Sequence, residues 1–113
     1  MKKNYGEAAK IFKALSDETR LEIIDMLTNE ELCAHKILDH FNITQPTLSY
    51  HMKILTDSGL VTGKREGALM LYHLKAEAFA RMKCLLKCLS DETSEKNNAA
   101  DFRESLAEES CYE

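Results

Sequence analysis

The sequence predicts a mainly α fold, five helices with one small β-hairpin, and three observations carry that prediction. Apolar side chains recur at helical spacing through the first thirty residues. A polar helix beginning near Thr44 closes on Ser58-Gly59, where glycine suits a left-handed cap. Directly behind it, the runs 60–65 and 68–74 flank Glu66-Gly67, a two-residue turn between strand-like segments.

Taken in order, residues 5–15 place Ala8, Ile11, Phe12 and Leu15 on one stripe, which predicts an amphipathic first helix. Ser16 is the expected N-cap of a second helix, with Asp17 and Glu18 favourably placed against its positive end. That helix is expected to turn Leu21, Ile24 and Leu27 inward and to fade near Asn29. A shorter third helix is expected over 32–40. In the fourth, Thr44 is the expected cap, Pro46 falls in the first turn where its missing N–H does no harm, and Leu48, Met52 and Leu55 form the buried stripe. The last helix, expected over 75–89, aligns Phe79, Met82, Leu86 and Leu89, with Leu85 beside them.

The fourth helix holds the clearest functional signal. Apart from its apolar stripe it carries Gln45, Thr47, Ser49, Tyr50, His51 and Lys53, and Asp57 is the first acid after Asp39. A helix that meets only water mixes both charge signs, as residues 17–31 do. Amides, hydroxyls, an imidazole and a lysine, with acids excluded, suit a surface of phosphates and base edges. Lys64 and Arg65 sit near the tip of the hairpin, within reach of a neighbouring groove. Helices, a polar helix and a basic hairpin in this order make a winged helix-turn-helix.

Bulk properties set the frame. At 113 residues, 44% hydrophobic and 30% charged, the chain has the size of one globular domain. The formal net charge of −4 is unevenly spread: residues 91–113 hold eight acids and two bases, a net of −6, so the first ninety residues carry +2. The expected organisation is a DNA-binding and dimerisation domain over 1–90 and an acidic, flexible tail over 91–113, with a short helix expected at 99–108. No apolar run is long enough to cross a bilayer and the N-terminus lacks a signal-peptide core, so a cytoplasmic location, no membrane partner and reduced thiols are expected. The surplus apolar surface of the first and last helices points to a homodimer built on them, as two-fold DNA readers use.

Four stretches in register resemble the ArsR/SmtB family of metal- and metalloid-responsive repressors: residues 14–21, Glu31-Leu32-Cys33, residues 43–55 and Asp57-Ser58-Gly59-Leu60-Val61. The likeness runs from about Tyr5 to Leu89. It implies a dimeric repressor that sits on an inverted-repeat operator in double-stranded DNA, needs no cofactor to bind there, and is released by a thiophilic inducer. Family DNA contacts carry over to Gln45, Thr47, Ser49 and His51 on the recognition helix and to Lys64 and Arg65 on the wing; Tyr50 and Lys53 join them from the composition of the helix.

Arsenite- and cadmium-sensing members often carry Cys-x-Cys straight after the Glu-Leu pair. The match here is Cys33-Ala34-His35, and the position of a third family cysteine is Leu38. Residues two apart on a regular helix point roughly 200° from each other, so Cys33 and His35 share an ion only if the helix start unwinds. The imidazole also favours a borderline metal such as Zn(II) or Cd(II). The family's zinc ligands on the last helix fall at Ala76, Ala78 and Leu89, with only Glu92 surviving, so that site is not expected. Cys84 and Cys88, spaced i,i+4, lie about 40° apart on one face, and Cys111 could complete a trithiolate because a 23-residue coil reaches roughly 26 Å. Three sulfurs suit As(III) or Cd(II), and the inducers expected overall are As(III), Sb(III), Cd(II), Pb(II) or Zn(II). The competing reading of Cys84 and Cys88 is two small residues buried in a dimer helix. His51, His40 and His73 are read as a DNA contact, a surface residue and a wing residue rather than as ligands.

Two further readings stay open at this point. The trigger could be thiol oxidation rather than a metal, or the winged helix could serve as a protein-interaction module. Enzyme activity is not expected: there is no paired-carboxylate cleft, no nucleophile beside a base and no Gly-rich phosphate loop.

Overall fold

The structure, a computed structural model, describes residues 5–92. In chain order the elements are α1 (Tyr5–Leu15), α2 (Glu18–Leu27), β1 (Leu32–Cys33), α3 (Ala34–His40), α4 (Gln45–Asp57), β2 (Val61–Glu66), β3 (Leu69–Leu74) and α5 (Ala76–Glu92). The chain divides into two compact units, the first ending at Lys75 and the second beginning at Ala76. The first unit holds α1–α4 and the sheet; the second contributes α5. The anticipated acidic tail beyond Glu92, its helix at 99–108 and Cys111 lie outside the described residues.

Within the first unit, Ile11 and Ala14 of α1, Ile23, Ile24 and Leu27 of α2, Ile37 of α3, Leu48, Met52 and Leu55 of α4, and Leu60 and Val61 at the sheet are buried. A core of this kind removes apolar area from water at roughly 25 cal/mol per Å². Three helical expectations shift. The N-cap of α2 is Asp17, not Ser16: its backbone is extended and Oδ2 accepts from Arg20 N at 3.1 Å, and a carboxylate at that end also meets the helix dipole. Ser16 instead donates its hydroxyl to Lys13 O at 2.8 Å, closing α1. Leu21 is exposed and Ile23 takes the core position beside Ile24, and Phe12 likewise faces outward.

The third helix begins two residues later than expected. Leu32 and Cys33 form a short strand antiparallel to β3, Leu32 opposite Tyr72 and Cys33 opposite Leu71, so the sheet has three strands in the order β1-β3-β2. The hairpin register pairs Val61 with Leu74 and Glu66 with Leu69. The turn is therefore Gly67-Ala68, one residue beyond the expected Glu66-Gly67. Gly67 has φ 62, the positive value primed hairpin turns demand at their first central residue. Gly59, at φ 88, closes α4 in the left-handed conformation expected of it.

In the second unit α5 runs to Glu92, with Ala78 and Met82 buried and Leu86 and Leu89 exposed at 51% and 43%. Among the described residues no helix is long and apolar enough to cross a membrane.

Candidate functional site

The α4 helix is seated and capped as its sequence dictates. Thr44 Oγ1 accepts from Thr47 N at 3.3 Å and donates to Thr47 Oγ1 at 3.0 Å, and Pro46 occupies the first turn. With Leu48, Met52 and Leu55 buried, Gln45, Thr47, Ser49, Tyr50 and Lys53 stand on the exposed side. Tyr50 is 62% exposed. Lys53 Nζ lies 3.2 Å from Asp57 Oδ2, an exposed i,i+4 pair that is worth only a few tenths of a kcal/mol and leaves the lysine able to turn to another anion.

His51 departs from the exposed position expected of it. The residue is only 9% exposed, and Nδ1 lies 3.0 Å from Arg20 Nη1. A guanidinium nitrogen can only donate, so Nδ1 is the acceptor and the proton of a neutral ring sits on Nε2. Arg20 is itself 9% exposed. Its Nε donates to Ala14 O at 2.7 Å and its Nη2 to Lys13 O at 3.5 Å. The guanidinium thus joins the end of α1 to the middle of α4, while the backbone of the same residue receives the Asp17 cap. Asp17 Oδ2 is 4.0 Å from His51 Nδ1, and the Tyr50 and His51 rings meet edge to face at 5.5 Å. Sequence reasoning assigned Arg20 no role; a lone arginine between the inward positions of α2 was the available signal.

Lys64 and Arg65 are exposed on β2, on opposite faces of the hairpin because successive strand residues alternate. Lys64 Nζ is 3.2 Å from Glu66 Oε2. Arg65 lies close enough to Tyr72 to favour its phenolate, yet burial of that hydroxyl outweighs the guanidinium and moves the Tyr72 pKa above its ordinary value. Gly63 is required opposite the ring: a Cβ there would come within 2.9 Å of Tyr72 Cε1.

The thiols fall in separate places. Cys33 is at the junction of β1 and α3 with an extended backbone, φ −82 and ψ 159. It therefore lies outside the helix that His35 enters, and the 200° separation of a regular helix does not apply to the pair. Cys84 and Cys88 sit one turn apart on α5, both part-exposed. Among the described residues no three His, Cys, Asp or Glu side chains come together as a metal site. His40 is exposed and bound to Glu22 Oε2 at 2.8 Å. His73, on the wing strand, has Nδ1 3.4 Å from Glu31 Oε2 without hydrogen-bond geometry.

A three-helix core, a capped polar helix that exposes no acid between Gln45 and Lys53, and a basic hairpin behind it define a winged helix-turn-helix regulator. The chain belongs to the arsR family of bacterial regulatory proteins, whose model matches residues 17–62. It is a DNA-binding regulator, not an enzyme. It is 50% identical over 74 residues to the arsenical resistance operon repressor of Staphylococcus xylosus, covering 66% of this chain and 71% of that one. Identity to the repressor of the same name from Staphylococcus aureus is 51% over 71 residues, or 63% and 68% of the two chains. A homodimeric winged helix-turn-helix DNA-binding domain from Mycobacterium bovis, solved in solution, superposes with a TM-score of 0.64 at 31% identity, over 78% of this chain and 82% of that one.

Proposed function

We propose that this chain is a homodimeric transcriptional repressor that holds an inverted-repeat operator and releases it when its thiols take up a thiophilic inducer. The observation that carries the reading is the outer face of α4. Gln45, Thr47, Ser49, Tyr50 and Lys53 project without an acid among them from a helix locked to the core. Amides and hydroxyls of that length read base edges, and a lysine beside them meets phosphate. Lys64 and Arg65 supply the wing's contacts. His51 serves this face from behind, as the acceptor that fixes α4 against Arg20.

As(III) or Sb(III) is the inducer we favour, with Cd(II), Pb(II) and Zn(II) as further candidates for the same soft donors. The arsenical resistance repressors named above support the metalloid. Cys33 is the ligand best placed to act on DNA binding, because its strand partner Leu71 lies opposite Lys64 on the wing. A ligand that draws Cys33 toward His35 would strain that pairing. Cys84, Cys88 and Cys111 form the alternative set. Leu86 and Leu89 on α5 and Phe12 on α1 are the exposed apolar side chains we assign to the dimer contact.

A gel-shift titration on the protein's own upstream DNA tests this, with arsenite, antimonite, Cd(II), Pb(II), Zn(II) and peroxide added in turn. Arsenite should release the wild type, and Cys33→Ser should stay bound at the same concentration. Loss of response in Cys84→Ser or Cys88→Ser would move the site to α5. Release by peroxide alone would replace the metalloid with oxidation.

A further inference from the structure

Between the end of α1 and the outer flank of α4 lies a cleft of about 390 Å³. Its walls carry Lys10 and Lys13 from α1, Arg20 from α2, and Tyr50, Asp57 and Ser58 from α4 and its cap. Charge is the notable property of this cleft. The Arg20 guanidinium is nine-tenths buried, and its hydrogen bonds go to two carbonyls and an imidazole. Among the described residues no carboxylate oxygen comes within 4.0 Å of its nitrogens.

The Asp17 carboxylate stands nearby, on the Arg20 amide at 3.1 Å and 4.0 Å from His51 Nδ1, and offsets part of this charge. Without an ion pair of its own the buried guanidinium still costs several kcal/mol unless further negative charge compensates it. Lys10 and Lys13, a turn apart on α1 and both exposed, likewise have no carboxylate partner among the described residues. The one acid lining the cleft, Asp57, shares its charge with Lys53 through a weak exposed pair. Three lining cations against one lining carboxylate leave the cleft net positive, a site for an anion. The Tyr50 hydroxyl can donate to its oxygens, whereas Ser16 and Ser58 already give their protons to Lys13 O and Leu55 O. Tyr50 belongs both to this cleft and to the outer face of α4, so an anion held here lies at the edge of the proposed DNA interface.

We infer that the α1–α4 cleft is a phosphate-binding subsite, in which Lys10 and Lys13 clasp a phosphate group over the buried charge of Arg20. The occupant is a backbone phosphate of the duplex, which extends the footprint from the recognition helix and wing onto α1. This rests on the DNA-binding reading above for the source of the phosphate, though not for the chemistry of the cleft.

Two measurements test it on the full chain. In the first, duplex affinity is followed against salt for wild type, Lys10→Gln/Lys13→Gln and the control Lys83→Gln on α5. Each phosphate contact contributes about 0.9 to the slope of log K against log salt. The double variant should therefore show a slope smaller by about 0.9 per protomer, equivalent to roughly 3.5-fold per protomer between 50 and 200 mM salt. The control should match wild type. In the second, inorganic phosphate is titrated without DNA at constant ionic strength while the amide resonances of Lys13 and Tyr50 are observed. A slope change makes the occupant a duplex phosphate. A flat slope with saturable shifts that the double variant abolishes keeps the subsite and assigns it a free phosphate. Flat results in both overturn the inference. Failure of wild type to bind any duplex would count against the DNA reading alone, leaving the phosphate titration to decide the cleft.

Discussion

Arg20 is the residue on which two elements turn. Its guanidinium holds the last carbonyls of α1 on one side and the His51 ring on the other, so one planar fork ties α1 to α4. Tyr72 plays a smaller part in the wing, its ring crossing Gly63. Burial raises the Tyr72 pKa above its ordinary 10.0, with Arg65 opposing. The sign of the consequence follows from linkage: a group whose folded pKa is raised contributes stability below the unfolded value and loses it as pH climbs through the folded one. Urea midpoints measured from pH 9 to 11.5 should fall for wild type above about pH 10, and less steeply for Tyr72→Phe. Identical profiles would mean that the phenol is not buried as described.

At the scale of the element, caps explain where helices start and why some boundaries moved. Thr44 and Asp17 each accept from the amide three residues on, and each such cap is worth about 1 kcal/mol. Thr44→Ala should lower unfolding stability by about that amount. It should also weaken duplex binding more than it lowers stability, because the first turn of α4 carries Gln45 and Thr47. Thermal melts and gel shifts on one preparation separate the two effects. Equal loss, or none, would remove Thr44 from the ordering of the interface. The β1 strand shows the limit of helical patterning: Leu32 and Cys33 fit a helix on composition, yet pair with β3 because strands forty residues away supply the hydrogen bonds.

For the molecule as a whole, the decisive proposed property is association. An α5 that leaves Leu86 and Leu89 exposed carries apolar surface beyond what its own unit buries, and the homodimeric Mycobacterium bovis domain assembles in the same fold. We expect Leu86→Glu/Leu89→Glu to sediment as a monomer and to lose at least tenfold in operator affinity, since one half-site forfeits the second set of contacts. A wild type that sediments as a monomer at micromolar concentration would sink the dimer. The net charge of −4 conceals a first ninety residues at +2, which is why the total charge does not argue against a polyanionic partner.

Local chemistry was legible in the residues alone. The Thr44 cap, Pro46 in the first turn, the Leu48–Met52–Leu55 stripe and the Gly59 stop all act within a turn or two of chain, and the structure places each where its spacing indicated. The hairpin was legible too, apart from a one-residue shift in its turn, because glycine at 67 satisfies either register until cross-strand pairing chooses one. Tertiary contact alone decided the rest. His51 is withdrawn from the outer face by Arg20, thirty-one residues earlier. Cys33 leaves the helix for a strand, and a cationic cleft forms where α1 meets α4. Each of these depends on groups distant in sequence, whose meeting is set by how the core packs and not by the periodicity of any one segment.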